Sequence, residues 1–328
     1  MRPEGPKWFR FRSAGSSVLF ARENLIVRRR IVRLCIAFLI AVIVGRTVLA
    51  LSPTMRTKIF FAFHRAWHLR WPFAAGKQVP EHLSRFFVPF VPIWVDVEPG
   101  VTMRLDPYDY VTEAILLDRT WEPQTTRELL RHLHAGGTFV DVGAHVGWYT
   151  LQAARAVGPR GHVIAVEPNP EILPQLRDNI RASGVGAFVV VAPVACSDSE
   201  TTLTLYAASR ANTGETSLSA INAGQAKGAT ASYSVRARRL DDIVKEAHTG
   251  RVDAVKIDVE GAEFLVLKGA AETLDRDKPV VSLELVDEQL KALGSSVAEV
   301  TAFMRSHGYA PATERHELNV IFVPVAAQ

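Results

Sequence analysis

"FVDVGAHVGWYT", residues 139–150, begins as an apolar run of strand length and breaks at Gly143 into a helical pattern that continues as "WYTLQAARAVG". Gly143 and Gly147 permit a tight strand-to-helix turn, in which the helix presents its first backbone N–H groups to a ligand. The spacing is G-x-x-x-G, not the G-x-G-x-x-G of dinucleotide binders. Asp141 closes the strand just before this turn. A pyrophosphate beside the turn would be repelled by that carboxylate, whereas a ligand bearing cations would be attracted.

Outward from the turn the alternation repeats. Strand-length apolar runs at 138–143, 162–167, 188–193, 253–259, 280–286 and 318–324 are separated by helical patterns such as "NPEILPQLRDNIRASG" and "VAEVTAFMRSHG". Near-continuous apolar strands alternating with helices predict an α/β domain with a doubly wound, mostly parallel sheet covered on both faces. We place this domain at 101–328, preceded at 74–100 by a Pro- and Gly-rich linker that runs into a first strand. One insertion interrupts it: "TTLTLYAA" (201–208) and "SYSVRARRL" (232–240) read as a hairpin around a long stretch rich in Gly, Ala, Ser, Thr and Asn. Such a stretch is either a flap near the substrate or a plain linker.

In open α/β sheets, ligands sit beyond the carboxyl ends of the strands. S-adenosylmethionine carries an ammonium and a sulfonium and no phosphate, which suits Asp141 beside the turn. Glu167 ends the second strand, twenty residues beyond Gly147, placed to accept both hydroxyls of a ribose. After the third strand, Ser197 and Asp198 are candidates for an adenine amino group. Singly, these are an ordinary turn, a solvated strand end and an Asx-type turn. Together, Asp141, Gly143, Gly147, Glu167 and Asp198 form an expected donor site.

"VKIDVEGAE", residues 255–263, alternates buried Val255, Ile257 and Val259 with Lys256, Asp258 and Glu260. A buried lysine needs a carboxylate partner, Asp141 being one option. Asp258, at the strand end, is the expected general base nearest the reacting methyl. His145, inside the donor turn, is a second candidate, with solvent exposure or helix capping as its plain reading. Glu260 and Gly261 belong to the turn, and Glu263 to the first turn of the next helix. Asp258 and Glu260 are two carboxylates without a third ligand, so no metal is expected.

The chain is 48% hydrophobic and 22% charged, the balance of a globular protein. Residues 1–33 hold nine Lys and Arg against two Glu, a charge of +7. The net +4 of the whole chain leaves −3 for the remainder. The basic arm leads into an apolar run, 34–45, flanked by Arg33 and Arg46, and then into "IFFAFHRAWHLRWPF" at 59–73. Aromatic and basic residues interleaved in this way suit a lipid surface, so residues 1–73 are expected to be a membrane-associated helical segment that contacts lipid and not nucleic acid. A single span with a basic amino-terminus inside would put the body outside, away from the donor. A helix lying in one leaflet, or a hairpin, keeps the catalytic domain on the cytoplasmic side. Cys35 and Cys196 are too far apart in sequence to suggest a disulfide framework or zinc site.

"FVDVGAHVGWYTLQAARAVGPRGHVIAVEPNP", "VDAVKIDVEGAEFLVLKGA" and "LNVIFVP" resemble the FkbM-type S-adenosylmethionine-dependent methyltransferases over roughly residues 100–325. "WEPQTTRELLRHLHAGG" ahead of the first strand belongs to the same likeness, and "KIDVEGAE" is its most specific part. The resemblance implies a seven-stranded class I methyltransferase fold, Rossmann-like, with an antiparallel last strand. It implies methyl transfer to a hydroxyl oxygen on a glycan, glycolipid, polyketide or other small acceptor. It assigns Asp141, Gly143 and Gly147 to the donor turn and Glu167 to the ribose. The first 73 residues lie outside it. The rivals are a membrane-tethered, non-catalytic scaffold and a nicotinamide oxidoreductase, the latter disfavoured by Asp141 and the glycine spacing.

Overall fold

The computed structural model describes residues 92–224, 229–312 and 318–325. They belong to one unit, Phe90–Gln328. The basic arm, the apolar run and the aromatic segment of residues 1–73 lie outside the described residues. Among the described residues, no helix is long and apolar enough to cross a membrane.

The first elements are β1 (Ile93–Glu98) and β2 (Val101–Leu105), an antiparallel pair. β1 is the first strand into which the Pro- and Gly-rich stretch was expected to run. The elements then alternate: α1 (Tyr110–Asp118), α2 (Pro123–Arg131), β3 (Thr138–Val142), α3 (Trp148–Val157), β4 (His162–Val166), α4 (Leu173–Ala182), β5 (Val189–Ala192). Three strands follow, β6 (Ala195–Cys196), β7 (Thr201–Ala207) and β8 (Ala231–Arg238), and then α5 (Leu240–Ala247), β9 (Ala254–Ile257), α6 (Glu263–Lys268) and α7 (Ala271–Asp277). The chain closes with β10 (Val280–Glu284), α8 (Asp287–Ala292), α9 (Val297–Ser306), β11 (Tyr309–Pro311) and β12 (Asn319–Pro324).

The main sheet has seven strands in the order β11-β12-β10-β9-β3-β4-β5. Its five central and far strands run parallel, while β12 pairs antiparallel with both β10 and β11. β3, β9 and β10 are buried along their whole length, as parallel strands covered on two faces must be. Val140, Val142, Val255, Ile257, Val281 and Leu283 share one apolar core.

The strand order reverses between β3 and β9, so the crevice opens beyond Val142 and Ile257, where ligands of open sheets sit. β7 and β8 form the expected hairpin, and β6 joins it in a separate three-stranded sheet. The polypeptide between β7 and β8 folds over this crevice instead of trailing into solvent. Ser217 bridges to Tyr206 of β7 through paired backbone hydrogen bonds, and Thr213 binds the carboxylate of Asp109, the N-cap of α1.

Candidate active site

A crevice opens beyond these strand ends, lined by β3, β4, β6, the insertion and the turn after β9. Val142, Gly143 and His145 form one wall, Glu167 and Ile172 another, and Thr213 to Leu218 of the insertion lie across it. Asp258 and Val259, after β9, complete the lining.

Gly143 has φ +84°, and a Cβ there would lie 1.8 Å from the Asp258 carbonyl oxygen. The backbones after β3 and β9 thus approach as closely as only glycine allows. Gly147 has φ +95° at the N-cap of α3, and a Cβ there would meet Leu176 at 2.8 Å. Both glycines are demanded by backbone geometry.

Asp141 lies beneath this turn, 1% exposed, and its Oδ2 accepts a 2.6 Å hydrogen bond from the Thr150 hydroxyl in α3. It does not line the crevice. Burial pushes its carboxyl up to about 6, against the pull of Thr150 and Lys256. Glu167 does line the crevice. Its two oxygens accept from the backbone N–H groups of Asn169 and His145 at 2.8 Å each, which fixes the carboxylate while burial raises its pKa.

His145 takes a left-handed conformation, φ +50°, and its Nε2 lies 2.7 Å from the Thr213 hydroxyl. That hydroxyl already donates to Asp109 Oδ2 at 2.5 Å, so it must accept from His145. Asp198 stands elsewhere: it is exposed and paired with Lys268 at 2.7 Å, a hydrogen bond that holds its carboxyl below the usual range. It does not reach the crevice lining, because the chain turns outward after the buried Ser197.

In β9, Lys256 is 1% exposed, and its Nζ donates to Asp258 Oδ2 at 2.9 Å. Its ammonium also lies 4.9 Å from the centre of the Tyr149 ring. Asp258, not Asp141, is thus the partner of the buried lysine; Thr150 occupies Asp141. Burial favours the neutral form of Asp258, but the Lys256 ammonium outweighs it and holds the carboxyl low. Glu260 and Glu284 behave oppositely: burial and then the charge of Asp258 lift both well above the carboxylate range. Oxygens of Asp258, Glu260 and Glu284 lie within 4.8 Å of one another. The Glu260 turn is pinned from outside, its carbonyl accepting from Ser217 Oγ at 2.7 Å and Asn222 Nδ2 at 2.8 Å. Glu263 accepts from the N–H groups of Val259 and Gly261 and so caps this turn internally, while burial lifts its carboxyl to about 7.

Asp258 and His145 are therefore brought to the crevice with Gly143 and Glu167, Asp141 supports it from below, Gly147 sets the start of α3, and Asp198 is outside. Glu284 escaped the sequence reading, although "VVSLELV" shows the same signal as "VKIDVEGAE": Ser282 and Glu284 break an apolar strand on alternate positions. Asp109, Glu122 and Asn319 carry no such local signal, since each joins the site from a distant element.

Residues 141–311, just over half of the chain, match the family model described as the methyltransferase FkbM domain. Among curated proteins, the chain is 24% identical over 235 residues to the AMB antimetabolite synthetase AmbE of Pseudomonas aeruginosa, a match that covers 63% of this chain but only 11% of that one. Among solved structures it is similar to methyltransferase FkbM from Methylobacillus flagellatus KT, at 16% identity and a TM-score of 0.42, over 65% of this chain and 52% of that one. It is also similar to a SAM-dependent O-methyltransferase from Thermotoga maritima, at 16% identity and a TM-score of 0.39, over 66% and 72% of the two chains. The chain spans about half the length of the first of these structures and a small fraction of the synthetase. With its domain matched across the donor turn, both strand-end acids and the insertion, the chain belongs to the FkbM methyltransferase domain family, S-adenosylmethionine-dependent methyltransferases of the class I, Rossmann-like fold.

Proposed function

We propose that this protein methylates a hydroxyl oxygen on a glycan, glycolipid or comparable small acceptor. The observation that carries this reading is the position of Asp258, which lines the crevice and lies beside Glu260 and Glu284. A hydroxyl has a proton to lose on methylation, and a group of carboxylate oxygens beside the donor crevice is suited to receive it.

The residues present fit S-adenosylmethionine. The crevice offers an immobilised acid at the end of β4 and apolar walls from Val142, Val166 and Ile172. When bound, S-adenosylmethionine supplies a sulfonium-activated methyl that needs only a correctly placed nucleophile. The chain's part is positioning, exclusion of water and acceptance of the proton. Glu167 is held for the ribose, the insertion covers the crevice, and Asp258 faces the acceptor with its charge maintained by Lys256. The basic, aromatic-rich residues 1–73 support a lipid-linked acceptor handled at the cytoplasmic face of a membrane, where arm and headgroups have opposite charge.

Asp258→Asn tests the proton-acceptor role. It should bind S-adenosylmethionine by calorimetry within about threefold of the parent while turnover falls by about 100-fold or more. Turnover at the parental rate would sink the assignment. The acceptor itself is found by comparing glycans and glycolipids of cells with and without the protein, a mass increase of one methyl group marking the substrate.

A further inference from the structure

We infer that Asp258, Glu260 and Glu284 form a divalent-cation site beside the crevice, with the side chain of Asn319 as a fourth oxygen donor. Each of the three acids offers an oxygen within 4.8 Å of the other two, and Asp258 opens onto the crevice. The second, independent observation is Asn319. It is 0% exposed and stands directly opposite Glu284 in the antiparallel β10–β12 pair, hence on the same face of the sheet. Its amide bears on Glu122, yet neither its oxygen nor its nitrogen completes a hydrogen bond, and Oε2 of Glu284 is equally buried and unpartnered. Buried polar atoms are nearly always satisfied, so two adjacent side chains with free oxygens beside an acid pair need a ligand.

Charge gives the sign of that ligand. The three acids have a single ammonium beside them, that of Lys256, and it bonds Asp258 alone. A divalent cation removes most of the remaining excess. Three carboxylates and an amide oxygen are hard donors, which select Mg²⁺, Mn²⁺ or Ca²⁺ over the softer metals. The turn geometry is already set for such a site: Glu260 is held at φ +53° by Ser217 and Asn222, and its side chain by Gln289 Nε2. Asp258 accepts from Lys256 through Oδ2, and its carboxylate is within hydrogen-bond reach of Glu284, so the two acids already share one locus. A cation there would hold an acceptor hydroxyl by its oxygen and make it a stronger acid.

The inference rests on the geometry of the site, and only the use of the cation rests on the proposed hydroxyl methylation. The test uses the full chain and Mn²⁺, whose free-ion spectrum in electron paramagnetic resonance fades on binding. Up to about 1 mM Mn²⁺ should be bound at one site per chain, with Mg²⁺ or Ca²⁺ competing. Glu260→Gln and Glu284→Gln should each weaken Mn²⁺ tenfold or more and leave S-adenosylmethionine binding unchanged. Both relieve like-charge repulsion, so the metal-free variants should melt no lower than the parent, while the rise in Tm that Mn²⁺ gives the parent disappears. Absence of Mn²⁺ binding by a parent that binds S-adenosylmethionine overturns the site, as does binding that survives both substitutions. Full turnover in chelator together with silent Mn²⁺ removes the cation and leaves hydroxyl methylation standing. Bound Mn²⁺ with no methyl transfer to any hydroxyl does the reverse.

Discussion

At Gly143 the fold and the site depend on one missing carbon. Gly143→Ala would set a methyl 1.8 Å from the Asp258 carbonyl, a backbone atom that no rotamer change can move, at a φ that already costs an L-residue about 1–2 kcal/mol. We expect the variant to lose about 3 kcal/mol or more, or to fail to fold, read by thermal melting; a melting point within a degree or two of the parent would show that the two strand ends are not in contact. Asp141 gives a prediction in pH. Its carboxyl rises from 3.8 to about 6 in the fold, so its neutral form is the stabilising one. That contribution is complete below about pH 4 and is lost as pH rises through about 6, amounting to at most about 3 kcal/mol. Asp141→Asn stays neutral and can still accept from Thr150, so the gap in Tm between variant and parent should widen in the variant's favour from about pH 4 to pH 7. Parallel profiles would mean that Asp141 stays charged. The sequence exposed Asp141, Glu167 and Asp258 because each interrupts or ends an apolar strand. It did not reveal that Thr150 covers Asp141 or that Lys256 reaches Asp258, since a side chain's partner depends on which strands lie side by side. Nor did it reveal that Asp198 pairs with Lys268, seventy residues later.

Among the elements, the β7–β8 insertion shows the largest gap between pattern and structure. Its Gly, Ala, Ser, Thr and Asn content reads equally as flap or linker. The structure lays residues 213–218 across the crevice, because the polar side chains find backbone partners on other elements. Asn222 is the clearest case, its Nδ2 donating to the carbonyls of Glu260 at 2.8 Å and Gln289 at 3.1 Å. Asn222→Ala should cost about 1–3 kcal/mol, because it leaves the Gln289 carbonyl without this donor. Donor affinity measured by calorimetry should weaken with it. Affinity unchanged in a destabilised protein would show that the insertion does not shape the donor crevice. The strands, by contrast, were legible within one or two residues. Their apolar runs are bounded by Gly, Pro and acids, and burial on both faces leaves little choice of register. Only short strands escaped: β2 and three-residue β11 follow turns that mask their pattern, and two-residue β6 is too short for any periodicity.

Across the whole molecule, residues 90–328 form a unit of their own, with a seven-stranded sheet whose order follows from right-handed crossovers and a final antiparallel strand. A fragment of residues 90–328 should therefore fold cooperatively and bind S-adenosylmethionine as the full chain does, while losing any affinity for anionic vesicles. Loss of donor binding in a folded fragment would mean that the amino-terminal segment completes the site. The division of charge, +7 before residue 34 and −3 after it, was visible from composition alone, as was the α/β class. The grip of Ser217 and Asn222 on the Glu260 carbonyl has a consequence for timing. The cover over the crevice and the turn that aims the acids share one peptide unit, so lifting the first loosens the second. An uncovered site is then also an unassembled one. The same two hydrogen bonds thus tie the order of the cover to the order of the acids beneath it.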